Sequence, residues 1–189
     1  MIDKGLWGFR FENNDYIILV QGNASEKKLG KDFLDFIKNN KDDEKIEQIK
    51  NTIRNMKRVR LAQITKEDKL YLEQYKSEHI LENRSSIDAF DWGTFFAFEE
   101  RNFDLFLNNF KYIFNSAFLL ESSGDILNAY IVNLDESTLE IYNGSNTEKV
   151  EDEDNRYSHL KNEFYGKNHF GVILKQKYTF DELDNIKNL

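Results

Sequence analysis

The side chains able to move protons or hold metals in this chain are three histidines and 34 acidic residues, with no cysteine to add to them. His79, His159 and His169 are scattered. None has a second histidine or an acid at the spacing of a helical H-E-x-x-H zinc site, and the nearest arrangement is Glu163, four residues after His159. The densest carboxylate run is Glu151-Asp152-Glu153-Asp154, with Glu148 just upstream. It lacks the alternating ligands and the glycine of an EF-hand loop. Like charges packed this closely favour solvent. Glu148, Glu151, Asp152, Glu153 and Asp154 therefore read as a partner-facing surface, and no metal ligands, catalytic residues or cofactor are assigned. Ser85-Ser86 and Ser122-Ser123 lie in turn contexts without the pattern of a nucleophile elbow. Gly5, Gly8, Gly22 and Gly30 have the wrong spacing for a phosphate-cradling loop. Spacing alone singles out no acid–base pair among so many carboxylates.

The elements that must carry these residues begin with Gly5–Phe11 and Asp15–Val20. Both are rich in aromatic or β-branched residues, and the polar link Glu12-Asn13-Asn14 between them predicts a β-hairpin. Phe33, Phe36 and Ile37 recur at helical spacing over Lys31–Asn40. Ile46, Ile49, Ile53 and Met56 do so over Asp43–Lys57, with Asp42 or Asp43 as cap. A third helix is expected from a Thr65 cap to about Leu81, with Asp68 in the capping-box position, and Asn83–Ser86 as a loop. Nine of the sixteen phenylalanines fall between Phe90 and Phe118. Trp92, Phe95, Phe96, Phe103, Phe106, Leu107 and Phe110 form a stripe that predicts one or two core helices, broken near Arg101-Asn102. Beyond Ser116 the period shortens. Ser116–Ser122, Ile126–Leu134 and Thr138–Tyr142 predict an antiparallel meander. A short helix is expected over Tyr157–Gly166, a strand over Phe170–Tyr178, and a short helix capped by Thr179 at the end. The pattern predicts one α+β domain over residues 1–189: an antiparallel sheet, made of the N-terminal hairpin and the C-terminal meander, packed with helices from the middle of the chain.

Composition narrows the function. No apolar run approaches the ~18 residues a membrane span needs, and no charged-then-apolar signal opens the chain, so a cytoplasmic protein without membrane contact is expected. Without cysteine there are no disulfides, thiolate nucleophiles or thiolate metal sites. Proline is also absent, leaving every turn to Gly, Asn, Asp and Ser. The net charge of −8 argues against nucleic acid as the first partner and allows docking on a basic surface. The best basic stretch, Lys57-Arg58-Val59-Arg60 with Lys50 and Arg54 upstream, reads as the cationic C-terminal end of the second helix, favoured by its dipole.

Lys4-Gly5-Leu6-Trp7-Gly8-Phe9-Arg10, Asp15-Tyr16, Leu29-Gly30 and Phe33-Leu34-Asp35-Phe36-Ile37 resemble a group of small bacteriophage and prophage proteins that open with a Gly-rich hairpin, a Leu-Gly step and a helix. Ala129–Asp135 with Leu139–Gly144, and Gly171–Leu174 with Tyr178–Leu183, extend the likeness across about a third of the chain. Where that family carries an Asn-His-Phe-Asp-Ser-Tyr-Pro-like segment, this chain reads Gln21-Gly22-Asn23-Ala24-Ser25-Glu26-Lys27. If that segment is a site in the family, this member lacks it. The hairpin and meander are also similar in layout to N-terminal-nucleophile hydrolases, but Met1-Ile2 replaces their nucleophile. The resemblance implies a phage or prophage protein; the acidic surface, abundant carboxylates and aromatics and lack of an assembled site lead to the expectation of a non-enzymatic accessory protein that binds a host protein or protein–nucleic-acid complex, for instance as an acidic inhibitor of a nuclease or CRISPR-type defence complex. A small metal-dependent hydrolase or nuclease built on carboxylates is the alternative reading, and a virion assembly component is a third.

Overall fold

The computed structural model describes residues 3–60, 64–74, 91–150, 155–158, 161–164 and 167–187. Strands β1 (Lys4–Phe11) and β2 (Asn14–Gln21) form the expected hairpin, with Leu6 opposite Leu19 and Arg10 opposite Asp15. The turn is two residues, Glu12 and Asn13, both left-handed at φ 50° and 59°. That geometry matches the right-handed twist of the strands, so Asn14 already belongs to β2.

A π-helical turn, Glu26–Gly30, leads into α1 (Lys31–Asn39). Gly30 is required by contact: a Cβ there would lie 2.8 Å from the Tyr130 ring. Helix α2 (Asp43–Asn55) starts where Asp42 accepts a bond from the Lys45 N–H at 2.9 Å. It stops at Asn55, two residues before Lys57. Lys57 and Arg58 are therefore not its basic last turn. They form β3 (Lys57–Arg58), which runs parallel to β4 (Tyr112–Ile113). Helix α3 (Lys66–Gln74) opens with the predicted reciprocal cap, the Thr65 N–H donating to Asp68 and the Asp68 N–H to Thr65 Oγ1. Its expected continuation towards Leu81 and the loop at Asn83–Ser86 lie outside the described residues. The aromatic stripe breaks at Arg101-Asn102 as expected, with a helix, α4 (Trp92–Phe98), before it, but after it comes a 3₁₀ turn (Phe103–Phe106) in place of a second α-helix.

Strands β5 (Ile126–Asn133) and β6 (Thr138–Asn143) match the predicted meander. Two neighbouring expectations do not hold. Ser116–Ser122 is no strand but holds a 3₁₀ turn (Ala117–Leu120), because Asn115 and Ser116 clamp the edge of β2 instead: Asn115 accepts from the Ile17 N–H, and the Ser116 N–H donates to the Ile17 carbonyl. A helix is expected over Tyr157–Gly166, yet β7 (Lys161–Phe164) pairs antiparallel with β8 (Lys167–Phe170), local cross-strand pairing outweighing weak helical spacing. Strand β9 (Ile173–Thr179) and a 3₁₀ turn (Leu183–Asn185) close the chain.

The main sheet has the order β2-β1-β5-β6-β9. Every pairing is antiparallel except β1 with β5, which joins the hairpin to the meander. The fold is α+β, with a mostly antiparallel sheet packed by helices. Period-two alternation gives the sheet two buried faces. Trp7, Phe9, Tyr130, Val132, Leu139 and Ile141 face the helices, where Trp7 meets Phe103, Phe33 and Phe106 at ring-centroid distances of 4.8, 5.4 and 5.6 Å. Leu6, Ile17, Ala129, Ile131 and Tyr142 face the other way, under Leu120, Tyr157 and Val172. Among the described residues no helix is long and apolar enough to cross a membrane.

Candidate functional site

The second face of the sheet carries a carboxylate that sequence spacing did not single out. On β6, Thr138, Glu140 and Tyr142 alternate with Leu139 and Ile141, which places Glu140 on the face away from the helices with 1 % of its surface exposed. Arg156 grips it with two parallel bonds, NH1 to Oε2 at 2.9 Å and NH2 to Oε1 at 3.2 Å. The Tyr142 hydroxyl donates to Oε2 at 2.6 Å, and the Asn133 amide to Oε1 at 3.1 Å. Lys177, opposite Glu140 on β9, stands 3.9 Å from Oε1. The guanidinium also lies 5.5 Å from the Tyr157 ring centroid.

Burial pushes the Glu140 carboxyl up, but the bonds from Arg156, Tyr142 and Asn133 outweigh it and hold the group below its ordinary value. Burial raises Tyr142, and the neighbouring Glu140 charge raises it further. Burial would lower Arg156, yet its bond to Glu140 holds it above its ordinary value. An ionised carboxylate has about four acceptor positions, and here four donors fill them. Glu140 thus has no lone pair left for a substrate proton. Its chemistry is that of a buried tie between β5, β6 and the 155–158 segment. The sequence did hold a signal: an acid inside an otherwise buried strand run needs a buried cationic partner.

Of the predicted partner-facing residues, Glu148 is exposed. Glu151, Asp152, Glu153 and Asp154 lie outside the described residues, as do His79, His159 and Ser85-Ser86. His169 sits on β8, half-buried, in register with Asn162. Ser123 is fully buried and structural: its hydroxyl donates to the Phe170 carbonyl at 2.6 Å and accepts from the Asn146 N–H at 3.0 Å. Among the described residues no three His, Asp or Glu side chains gather as a ligand set.

The surface charge is divided along α2. At its N-terminal end, Asp42, Asp43 and Glu44 are exposed. Asp181, Glu182 and Asp184 are exposed beside them, brought there by Lys41, which pairs with Asp184 at 2.7 Å and donates to the Phe180 carbonyl at 3.0 Å. Thirteen residues of helix, about 20 Å, separate this acidic pole from a basic one. There Arg54 lies over Phe11 at 4.9 Å, Arg58 over Tyr16 at 5.5 Å and Lys111 over Tyr71 at 4.6 Å. Lys57 and Lys111, with Thr52, Asn55 and Asn109, line a groove of about 490 Å³.

Comparison with protein-family models, with curated proteins and with solved structures gave no match.

Proposed function

We propose that this chain is a non-enzymatic binding protein that docks on a positively charged host macromolecule. The phage and prophage resemblance adds the finer reading: an accessory protein acting in the host cytoplasm, as an inhibitor of a nuclease or defence complex whose basic channel normally takes nucleic acid. The observation that carries the proposal is the acidic pole. Two segments far apart in sequence, Asp42–Glu44 and Asp181–Asp184, converge on one surface with six exposed carboxylates. The one ion pair described there is Lys41 with Asp184. Lys38 and Lys41 also lie there, turned onto the Ile186 and Phe180 carbonyls, and the six carboxylates outnumber the cations described beside them. Such a field speeds encounter with a basic partner and fades with salt.

The buried carboxylate favours binding over catalysis, since Glu140 spends its acceptors on Arg156, Tyr142 and Asn133. The test is affinity capture from host extract across rising ionic strength, with the wild-type chain and with Asp43→Lys/Glu44→Lys/Asp181→Lys. The reading expects a partner held at low salt, released as screening grows, and lost by the charge-reversed chain. A partner kept equally by both chains at ~1 M salt, where the Debye length is about 3 Å, overturns it.

A further inference from the structure

The basic pole is unlike the rest of the surface. Lys57, Arg58, Arg60 and Lys111 are all exposed, and none takes part in an ion pair among the described residues. Some cations elsewhere are paired, as Lys4 with Asp125, Lys31 with Asp35 and Arg101 with Asp32, and others, such as Lys27 and Lys66, pair with none of the described acids, so what sets this end apart is the grouping of four. Asp68 lies within the field of Lys57, and neighbouring Arg54 is paired with Glu47 and Glu12, but the four cations outnumber the acids described beside them and repel one another until an anion joins them.

Their arrangement says what shape of anion. Successive residues of a strand project to opposite sides. Lys57 accordingly lines the groove with Lys111, while Arg58 leans over Tyr16 on the hairpin, next to Arg54 over Phe11. The cations form a band that passes around β3, not a flat patch. Aromatic contacts hold two of the four side chains, Arg58 and Lys111, one in each arm of the band, so less rotamer freedom remains to be lost on binding. In the groove, Asn55 and Asn109 stand beside the lysines as further polar groups. Asn109 is exposed, on a left-handed turn at φ 53°.

We propose that this band binds the sugar–phosphate backbone of a single-stranded nucleic acid. Backbone charge is what a row of exposed Lys and Arg in excess of the nearby acids recognises, and it carries no sequence preference. A duplex with a persistence length of about 50 nm meets only one side of β3, whereas a single strand bends from the groove over to the hairpin side. The rings beneath the cations are already covered by them, so base stacking contributes little and electrostatics dominates. This site is separate from the acidic pole and does not depend on it.

The experiment is a fluorescence-anisotropy titration of the full chain into labelled oligothymidine, oligouridine and a duplex of equal length. Saturable binding to the single strands is expected. With three or four phosphates neutralised, at about 0.7 per phosphate in the log–log salt slope, affinity falls roughly tenfold or more between ~50 and ~200 mM salt. Oligothymidine against oligouridine tells whether DNA or RNA is preferred. Lys57→Glu/Lys111→Glu and, separately, Arg58→Glu/Arg60→Glu each weaken binding at least about tenfold, with unchanged circular dichroism. The neutral pair Lys57→Gln/Lys111→Gln weakens it less and serves if the reversal disturbs folding. Asp43→Lys/Glu44→Lys does not weaken it, which separates this site from the acidic-pole reading. No saturable binding at low salt, tighter binding of the duplex, or indifference to both charge reversals overturns the proposal.

Discussion

One side of the central sheet is a solid of rings and the other is built around an ion pair. Towards the helices, Trp7, Phe9, Phe33, Phe36, Phe103 and Phe106 touch one another at centroid distances between 4.6 and 6.2 Å. Away from them, the apolar cluster is smaller, and a third of the way along β6 it gives way to Glu140 and its donors. The same strand serves both, Leu139 and Ile141 to one side, Thr138, Glu140 and Tyr142 to the other. The ring face is stabilised by area, which is tolerant of chemistry but sensitive to volume. The ion-pair face is the reverse: its groups are worth little as a pair and costly when separated. The first face holds the sheet together. The second fixes where residues 155–158 and the edge of β9 must lie.

The largest expected effect lies on the ring face. Phe106 is fully buried and packs on Trp7 and Phe9. Phe106→Ala should cost about 3–5 kcal/mol in urea unfolding, through lost transfer energy and the cavity left behind. A cost below ~1 kcal/mol would mean that the rings are loosely packed and that the two faces do not differ as described.

Next is Arg156→Met. It leaves the Glu140 carboxylate buried without its cation, and should cost about 3 kcal/mol at neutral pH, towards the low end for a broken buried pair because Arg156 keeps some solvent contact. The double variant Glu140→Met/Arg156→Met should be less destabilised than the single one. No such rescue exists for Phe106→Ala, so the double-mutant cycle separates an ionic face from an apolar one. If the double variant is the worse of the two, the ion pair is a net stabiliser and the contrast fails.

The pH dependence follows the same division. The Glu140 carboxyl is held below its ordinary value in the folded state, so its contribution is present above that value, about 4.3, and is lost as pH falls through the lower folded one. Tyr142 and Tyr157 are raised by burial. Their contribution is whole below about pH 10 and is lost as pH rises through their folded values. Wild-type stability should therefore fall at both extremes. In the Glu140→Met/Arg156→Met chain the acid arm should flatten while the alkaline arm remains. An unchanged acid arm would place the acid-sensitive carboxylate elsewhere.

The ring face was visible in the residue pattern and the ionic face was not. Phe33, Phe36 and Ile37, then Phe106 and Phe110, declare their burial through spacing, because area burial depends on one element at a time. The hairpin, α1, α2, the Asp42 and Thr65 caps and the two strands β5 and β6 were visible for the same local reason. Glu140 and Arg156 lie sixteen residues apart and meet only after β6 and the 155–158 segment are both placed. Likewise the parallel pairing of β1 with β5 depends on contacts more than a hundred residues apart, which no local period reports. The basic stretch is legible in the sequence, but its setting is not. Helical spacing through Met56 suggested that the helix ran on, whereas pairing with β4 ended it at Asn55 and turned Lys57 and Arg58 to opposite sides. The acidic pole needed tertiary structure as well, since nothing in the sequence brings Asp181 near Asp43.

The smallest expected effect sits where the two faces end, at the hairpin turn. Glu12 is left-handed at φ 50°, a conformation that costs an ordinary L-residue roughly 1 kcal/mol and suits asparagine far better. What holds it is Asp135, from the β5–β6 turn, whose carboxylate accepts the Glu12 N–H at 2.9 Å and the Asn13 N–H at 3.1 Å. Asp135→Ala should thus cost about 1 kcal/mol, by releasing two charge-assisted bonds at the surface. Glu12→Asn should do the opposite and stabilise by about 0.5 kcal/mol, since the backbone bonds to Asp135 are kept and the strain is relieved. It gives up the exposed contact with Arg54 at 3.6 Å, which contributes little. Combining the two is the sharper measurement. If Asp135 acts by restraining a strained turn, Glu12→Asn should reduce the cost of Asp135→Ala. If the two effects add without coupling, the carboxylate ties β1 to β5 directly and the turn geometry is incidental to it.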